Sequence, residues 1–305
     1  MMSTMLRRLT LLLAAAATVV AAGCGGSAEP PLQELRSLSG AVDASAQAGT
    51  GRFELSLEQT LPGSSKTLDI TASGSFDTQA RRMELQLDMS AFAELFGALG
   101  KAFGGEGNEE TEALLDPDNW QLEAVLDGTV MFLRFPVLDA KLPSGKRWVQ
   151  LDLRQLAATK GFDLGQLESY LRTDPRQTLS YLKAVAGKVV PTGREEVRGT
   201  ETTRYTAVID LVKVARQLPV SQRSLLGDLE QLARQVGLSL VPVAVWVDDY
   251  GLVRRMEMTI TLEPTPGQEA RTSLTYDLFD YGEPVEIETP PAAEVVDAAT
   301  LERLG

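Results

Sequence analysis

The chain contains no histidine and only one cysteine, Cys24, among its 305 residues. Histidine is the commonest general base near neutral pH and the commonest metal ligand, so its absence excludes Ser-His-Asp and Cys-His catalysis. A single cysteine excludes an intrachain disulfide and a cysteine-rich metal centre. We therefore expect a protein that is not an enzyme and that holds no metal or other cofactor.

Basic clusters are also missing. The formal net charge is −13, which predicts no binding to nucleic acid and no electrostatic docking on anionic lipid. Acidic pairs do occur at Asp248-Asp249 and Glu195-Glu196, and two carboxylates are sufficient for glycoside hydrolysis. However, aspartate in a tight turn is favoured for its backbone hydrogen bonds, and adjacent acids on a strand point to opposite faces. We therefore interpret both pairs as structural.

Residues 1–23 have the pattern of a bacterial signal peptide. Arg7 and Arg8 precede an apolar run, Leu9–Ala22, that is short for a membrane span. The run leads into Ala-Ala-Gly-Cys, and small residues directly before a cysteine resemble the lipobox of bacterial lipoproteins. On this resemblance Cys24 is lipidated and anchors the mature chain on the outer side of the cell membrane. The alternative is an ordinary secretory signal. Removing the two arginines of the signal takes the formal charge from −13 to −15.

After the signal, residues 24–31 form a short tether rich in glycine, serine and proline. We expect residues 32–305 to form a single domain. Its clearest element is the segment Val241–Leu262, in which apolar and polar residues alternate on both sides of Asp-Asp-Tyr-Gly. A period of two around a glycine-containing turn predicts an antiparallel hairpin with one apolar face. Gly251 is expected to have a positive φ in that turn.

The same alternation recurs along the chain. Phe53–Leu57, Leu68–Ala72 and Met83–Met89 predict a meander, and Trp120–Phe135 predicts a hairpin turning at Asp-Gly. Further strands are predicted at 148–153, 189–197, 202–211 and 272–279, and helices at 32–48, 162–171, 175–186, 221–236 and 292–304. About ten strands in hairpins predict an α+β fold: a large curved antiparallel sheet, or half-open β-barrel, with helices packed on its concave face.

The segment Ala91–Glu112 departs from this alternation. Residues 91–103 are apolar on most sides, and residues 104–111 are acidic and rich in glycine, which predicts a loop. Two interpretations of 91–103 remain open: a lid over a cavity, or a helix packed in the core.

Four stretches carry a family resemblance: the lipobox, Gly193–Tyr205, Trp246–Arg255 and Tyr281–Val285. With these the chain resembles actinobacterial envelope lipoproteins of the LppX/LprG type, which are similar to the carriers LolA and LolB. The resemblance implies a half-barrel closed by helices and a lipid or acylated glycolipid held between them. It also implies attachment to the membrane through Cys24.

Methionine is flexible and suits a surface that accepts variable acyl chains. We therefore predict that the lining of the cavity includes seven residues: Met83, Leu85, Leu87, Met89, Met256, Met258 and Ile260. The alternative is that helices fill the whole concave face and these residues are ordinary core. A second functional hypothesis is an envelope lipoprotein that carries no lipid and acts as a sensor or as an interaction module for an export or envelope protein.

Overall fold

The strands of the computed structural model form one open sheet. The structure describes residues 40–41, 44–45, 47–60, 67–103, 109–160, 189–210, 240–265 and 268–304. The strands in these ranges are β1 (Thr50–Thr60), β2 (Thr67–Asp77), β3 (Arg82–Asp88), β4 (Gln121–Asp127), β5 (Val130–Arg134), β6 (Trp148–Asp152), β7 (Val190–Val197), β8 (Thr200–Asp210), β9 (Leu240–Asp248), β10 (Val253–Thr265), β11 (Gln268–Phe279) and β12 (Val295–Asp297). Their spatial order is β12-β6-β5-β4-β3-β2-β1-β11-β10-β9-β8-β7. A twisted sheet of this width curls.

Neighbouring strands run antiparallel except at one edge, where β12 pairs with β6 in parallel. The predicted fold class, α+β with a large antiparallel sheet left open, is therefore confirmed, with twelve strands in place of about ten. The described helices are α1 (Ala91–Phe103), α2 (Glu109–Leu115), α3 (Leu153–Lys160) and α4 (Ala298–Leu304), with 3-10 turns at Pro117–Trp120, Pro136–Lys141 and Ala292–Glu294. The helices predicted at 162–171, 175–186 and 221–236 lie outside the described residues. Of the helix predicted at 32–48, residues 40, 41, 44, 45, 47 and 48 are described; the first five are helical, and Ala48 lies in a turn.

The acidic loop predicted at 104–111 is wrong over its last three residues, because Glu109, Glu110 and Thr111 begin α2. Glutamate is a good helix former, and negative charge in the first turn is stabilised by the helix dipole. The many glycines and acidic residues of 104–111 favoured a loop prediction for the whole segment, so the start of this short helix was not predicted.

Two further boundaries differ from the predictions. The β7–β8 turn contains only Arg198 and Gly199, whose φ angles are 51° and 79°. Positive φ at both central residues gives the tight turn that suits antiparallel strands, so Thr200 and Glu201 extend β8. The strand predicted to end at Leu153 ends one residue earlier, because the Asp152 carboxylate accepts from the Arg154 backbone N–H at 2.8 Å and begins α3.

The predicted C-terminal helix is shorter than expected, because Val295–Asp297 forms β12 before α4 begins. Three residues are too few to show alternation, and their strand conformation is fixed by pairing with Trp148–Gln150 of β6.

The central hairpin is present as predicted, and Gly251 has a φ of 79°. One detail differs. The register of β9 and β10 shifts between Val253 and Arg255, so a β-bulge lies at the start of β10. Leu252 has the same parity as Met256 and Met258, which would put it on the apolar side of the strand, but it belongs to the turn. Val253 is buried in its place, with 2% of its surface exposed.

Candidate functional site

One face of the sheet is apolar across its width. Direct cross-strand partners point to the same side of a sheet, so the register defines this face row by row. One complete row, from β8 to β4, is Tyr205, Val245, Met256, Tyr276, Leu55, Ala72, Leu87 and Leu122. A neighbouring row, from β11 to β12, is Leu278, Phe53, Gly74, Leu85, Ala124, Leu133, Val149 and Val296. We call the surface formed by these rows and the parallel rows beside them the apolar face.

Six of the seven predicted lining residues lie on the apolar face. Met256, Met258 and Ile260 pair with Tyr276, Leu274 and Thr272 of β11. Met83, Leu85 and Leu87 pair with Phe76, Gly74 and Ala72 of β2. Five of the six are half-buried, and Met83 is 38% exposed. Their role in binding stays a prediction, but the structure places them on one surface, and none of the six is fully buried.

Met89 is the exception among the seven, because only 5% of its surface is exposed and it lies in a packed core. This core contains Phe92 and Ala93 of α1, Leu68 and Ile70 of β2, and Trp120. The Trp120 ring stacks on Phe92 and Phe96, with centroids 5.4 and 5.3 Å away. The first turns of α1 are therefore a core helix that seals one end of the apolar face over β1 to β4. Of the two interpretations left open for residues 91–103, the core helix is supported for these turns.

Several residues of the apolar face were not among those predicted to line a cavity. They are Leu55, Leu57, Leu122, Leu126, Met131, Leu133, Tyr205 and Tyr276. Alternation did place Tyr276 beside Leu274 and Leu278, but alternation alone does not show which rows stay uncovered.

The opposite face is polar and is held together by ion pairs. Asp277, 6% exposed, accepts hydrogen bonds from Arg255 at 2.6 and 2.7 Å. Hydrogen bonding to Asp277 raises the pKa of the Arg255 guanidinium, so the guanidinium stays charged. Arg198 binds Glu54 at 2.7 Å and stacks over the Phe279 ring at 3.9 Å. Ion pairs and a cation–π contact thus link strands and turns on this face.

At least one member of each acidic pair has structural contacts of this kind. Glu195 accepts from the Trp246 indole N–H at 2.8 Å and lies 3.5 Å from Arg204. Asp248 organises the hairpin turn by accepting from two backbone N–H groups and from Arg254. Over the described ranges, no three side chains of metal-ligating type lie together.

A polar cavity of about 330 Å³ lies at the turn end of β7, β8 and β11. Its wall includes Arg198, Arg254 and Asp280. Each of these charges already has a partner of opposite sign: Glu54, Asp248 and Arg52, respectively. The cavity is therefore electrostatically balanced and differs in character from the apolar face.

At the same end of the sheet, the helical residues before β1 are tied to the central hairpin. Ser45 is buried; its hydroxyl accepts from the Val253 N–H at 2.8 Å and donates to the Ala41 carbonyl at 2.7 Å. The Tyr281 hydroxyl donates to the Val253 carbonyl at 2.7 Å. Burial raises the pKa of Tyr281 to about 12, so its phenol stays protonated at neutral pH. The backbone N–H and the carbonyl of Val253, at the bulged start of β10, thus both have side-chain hydrogen-bond partners.

No protein-family model matches the chain. A curated relative, described as an uncharacterized 31.2 kDa protein in the rplA–rplJ intergenic region of Streptomyces griseus, is 28% identical over 166 residues. The match covers 53% of this chain and 51% of the relative, so the chain spans about half the length of the curated relative it matches.

Among solved structures, the chain is similar to the lipoprotein LppX of Mycobacterium tuberculosis, with 14% identity, a TM-score of 0.43, and coverage of 85% of this chain and 100% of that one. LprF of Mycobacterium bovis has 13% identity and a TM-score of 0.43, over 86% of this chain and 99% of that one. A LolA superfamily protein of Nitrosomonas europaea has 7% identity and a TM-score of 0.25, over 87% and 96%. The resemblance read from the sequence is to the same group of proteins. At these TM-scores, the fold assignment rests on the topology of the sheet itself. In the described part of the chain, no helix is long and apolar enough to cross a membrane.

Proposed function

We propose that this protein is an envelope lipoprotein that binds an acylated lipid on the apolar face of its sheet and is held at the membrane through Cys24. The observation that carries the proposal is the contrast within one surface. Phe92 and Ala93 of α1, which cover one end of the apolar face, are each 4% exposed. Leu85, Met256 and Met258 are only half-buried, although Phe53, Val245 and Leu274 beside them are buried. Apolar surface that stays partly accessible in a folded protein marks a binding site for an apolar ligand.

The composition of the rows that contain these half-buried residues supports a ligand with flexible chains. Met256 and Met258 lie side by side with Tyr276 and Leu274, and methionine adapts its shape to an irregular or variable partner. The row through Met256 contains no charged side chain from β8 to β4. Hydrocarbon is favoured on such a surface, and an unpaired charge is not.

Lipid binding is tested directly by native mass spectrometry of the protein expressed from the residue after Cys24. We expect a bound species whose mass matches an acylated lipid and which is lost on delipidation. A protein that is lipid-free as purified and that binds no acyl probe would contradict the proposal and favour the sensor or interaction module.

Replacing Met258 by tryptophan is expected to weaken binding of a fluorescent acyl probe several-fold while changing the melting temperature little. The larger side chain occupies ligand space if the apolar face is open. In a filled core the same change would overpack the interior and cost about 1–3 kcal/mol of unfolding free energy. Probe titration and thermal unfolding of the same sample separate the two cases.

The matched control is Thr259→Trp. Thr259 is the next residue of β10 and points to the polar face, where its hydroxyl lies 3.5 Å from that of Ser273. Its probe affinity is expected to equal that of the wild type. If Met258→Trp destabilises the protein and leaves probe binding intact, the apolar face is an ordinary core at this position.

Replacing Cys24 by alanine is expected to abolish lipid attachment, because a thioether-linked anchor requires the sulfur. Metabolic labelling with a radioactive fatty acid should mark the wild-type chain and leave the variant unmarked, and the variant should leave the membrane fraction or remain unprocessed. Equal labelling of both proteins would show that Cys24 is not the attachment site. Lipid binding by the soluble domain is expected to be unaffected.

A further inference from the structure

Tyr276 places a hydroxyl group on the apolar face. Its strand, β11, lies between β1 and β10, and its direct partners are Leu55 and Met256. The Tyr276 ring packs against Phe53, with centroids 5.7 Å apart and an interplanar angle of 37°. The Tyr276 ring therefore packs among apolar side chains.

None of the residues that the structure describes forms a hydrogen bond with the Tyr276 hydroxyl. Tyr281, at the same end of the sheet, is a useful contrast, because its hydroxyl donates to the Val253 carbonyl at 2.7 Å. A tyrosine hydroxyl in apolar surroundings usually has a partner, and one without a partner is unfavourable. Tyr276 is half-buried rather than fully buried, so part of the residue remains accessible.

Burial raises the pKa of Tyr276 well above its ordinary value. The phenol is therefore protonated at neutral pH and is available as a hydrogen-bond donor. The group that satisfies it must be an acceptor. Free fatty acid would bring a carboxylate, and the row that carries Tyr276 has no cation to pair with it. An uncharged ester carbonyl accepts the same hydrogen bond without placing an unpaired charge on the apolar face.

We infer that the Tyr276 hydroxyl donates a hydrogen bond to an ester carbonyl of the bound lipid, and so selects an uncharged ester-linked acyl lipid and fixes where its acyl chains begin. The inference rests on the proposed function, since it requires that a lipid occupies the apolar face. One residue then determines specificity. Tyr276 recognises the ester group, and the aliphatic residues around it contact the acyl chains.

The test uses two probes that differ only at the carbonyl: a pyrene-labelled diacylglycerol and its ether-linked analogue, which has methylenes in place of the ester carbonyls. The wild-type protein is expected to bind the ester about threefold to tenfold more tightly, which is the range of one net hydrogen bond. Tyr276→Phe keeps the ring and its contact with Phe53. This variant is expected to bind both probes with the affinity that the wild type has for the ether.

Tyr250→Phe is the matched control, because Tyr250 lies in the turn between β9 and β10, away from the apolar face, with 87% of its surface exposed. It is expected to keep the preference for the ester. A Tyr276→Phe protein that keeps the preference, or a wild-type protein that shows none, would overturn the role of Tyr276 while leaving lipid binding in place. Failure of the wild type to bind either probe would overturn the proposed function itself. The comparison of ester and ether on the wild type does not depend on how any variant folds.

Discussion

Replacing Asp248 by alanine is expected to lower the free energy of unfolding by about 3–5 kcal/mol, the range for removing one partner of a buried ion pair. The Asp248 side chain is 1% exposed and that of Arg254 is 18% exposed. One carboxylate oxygen accepts from the N–H groups of Tyr250 and Leu252 at 2.9 and 2.8 Å, and the other accepts from Arg254 at 2.7 Å. Alanine leaves the arginine charge without its partner and two turn donors without their acceptor.

Asp249→Ala is the control, because the neighbouring aspartate has the same charge in the same turn but is exposed. Its carboxylate contacts Arg194 at 3.0 Å, with side-chain exposures of 67% and 53%. An exposed pair of this kind contributes little to stability, so Asp249→Ala is expected to lose far less unfolding free energy than Asp248→Ala. Urea unfolding of both variants measures the difference at nearly equal net charge. Equal losses in the two proteins would show that the turn does not depend on the buried carboxylate.

The hairpins were predictable from the sequence because they combine two local signals. Apolar residues alternate in β9 and β10, and Asp-Asp-Tyr-Gly supplies a turn in which Gly251 takes a positive φ. The same combination located the β4–β5 hairpin, where Gly128 has a φ of 62°. Because each side chain on a strand is fixed by parity, the placement of Met256, Met258 and Ile260 on one face followed as well.

The features that could not be predicted from the sequence depend on contacts between residues that are far apart in the chain. β12 exists because three residues near the C-terminus pair with Trp148–Gln150, and no local pattern predicts that contact. Met89 continues the parity of Met83, yet α1 and Trp120 cover it. The role assigned to Tyr276 depends on which groups fail to reach its hydroxyl, which is a property of the packed sheet.

Gly74 provides the second large effect: Gly74→Ala is expected to cost about 3 kcal/mol of unfolding free energy, the upper end of the range for overpacking a well-packed site. Gly74 lies on the apolar face opposite Phe53 of β1 and Leu85 of β3. A Cβ there would overlap the backbone carbonyl oxygen of Glu84 and would lie 2.6 Å from Cζ of the Phe53 ring. The ring can turn aside, but the carbonyl belongs to the β2–β3 ladder and cannot move without disturbing its hydrogen bonds.

Gly51→Ala separates the two obstacles, because a Cβ at Gly51 would meet the edge of the Phe76 ring at 2.7 Å and no backbone atom closer than the Phe279 carbonyl at 3.4 Å. The Phe76 side chain can move more easily than a paired strand. Gly51→Ala is therefore expected to lower the free energy of unfolding by about 1 kcal/mol, the lower end of the range for overpacking. Thermal and urea unfolding of the two variants should rank them in that order. Adding Phe53→Leu to Gly74→Ala should recover little stability, since the carbonyl of Glu84 remains in place. Full recovery would show that the aromatic ring, and not the strand pairing, makes glycine necessary at this position.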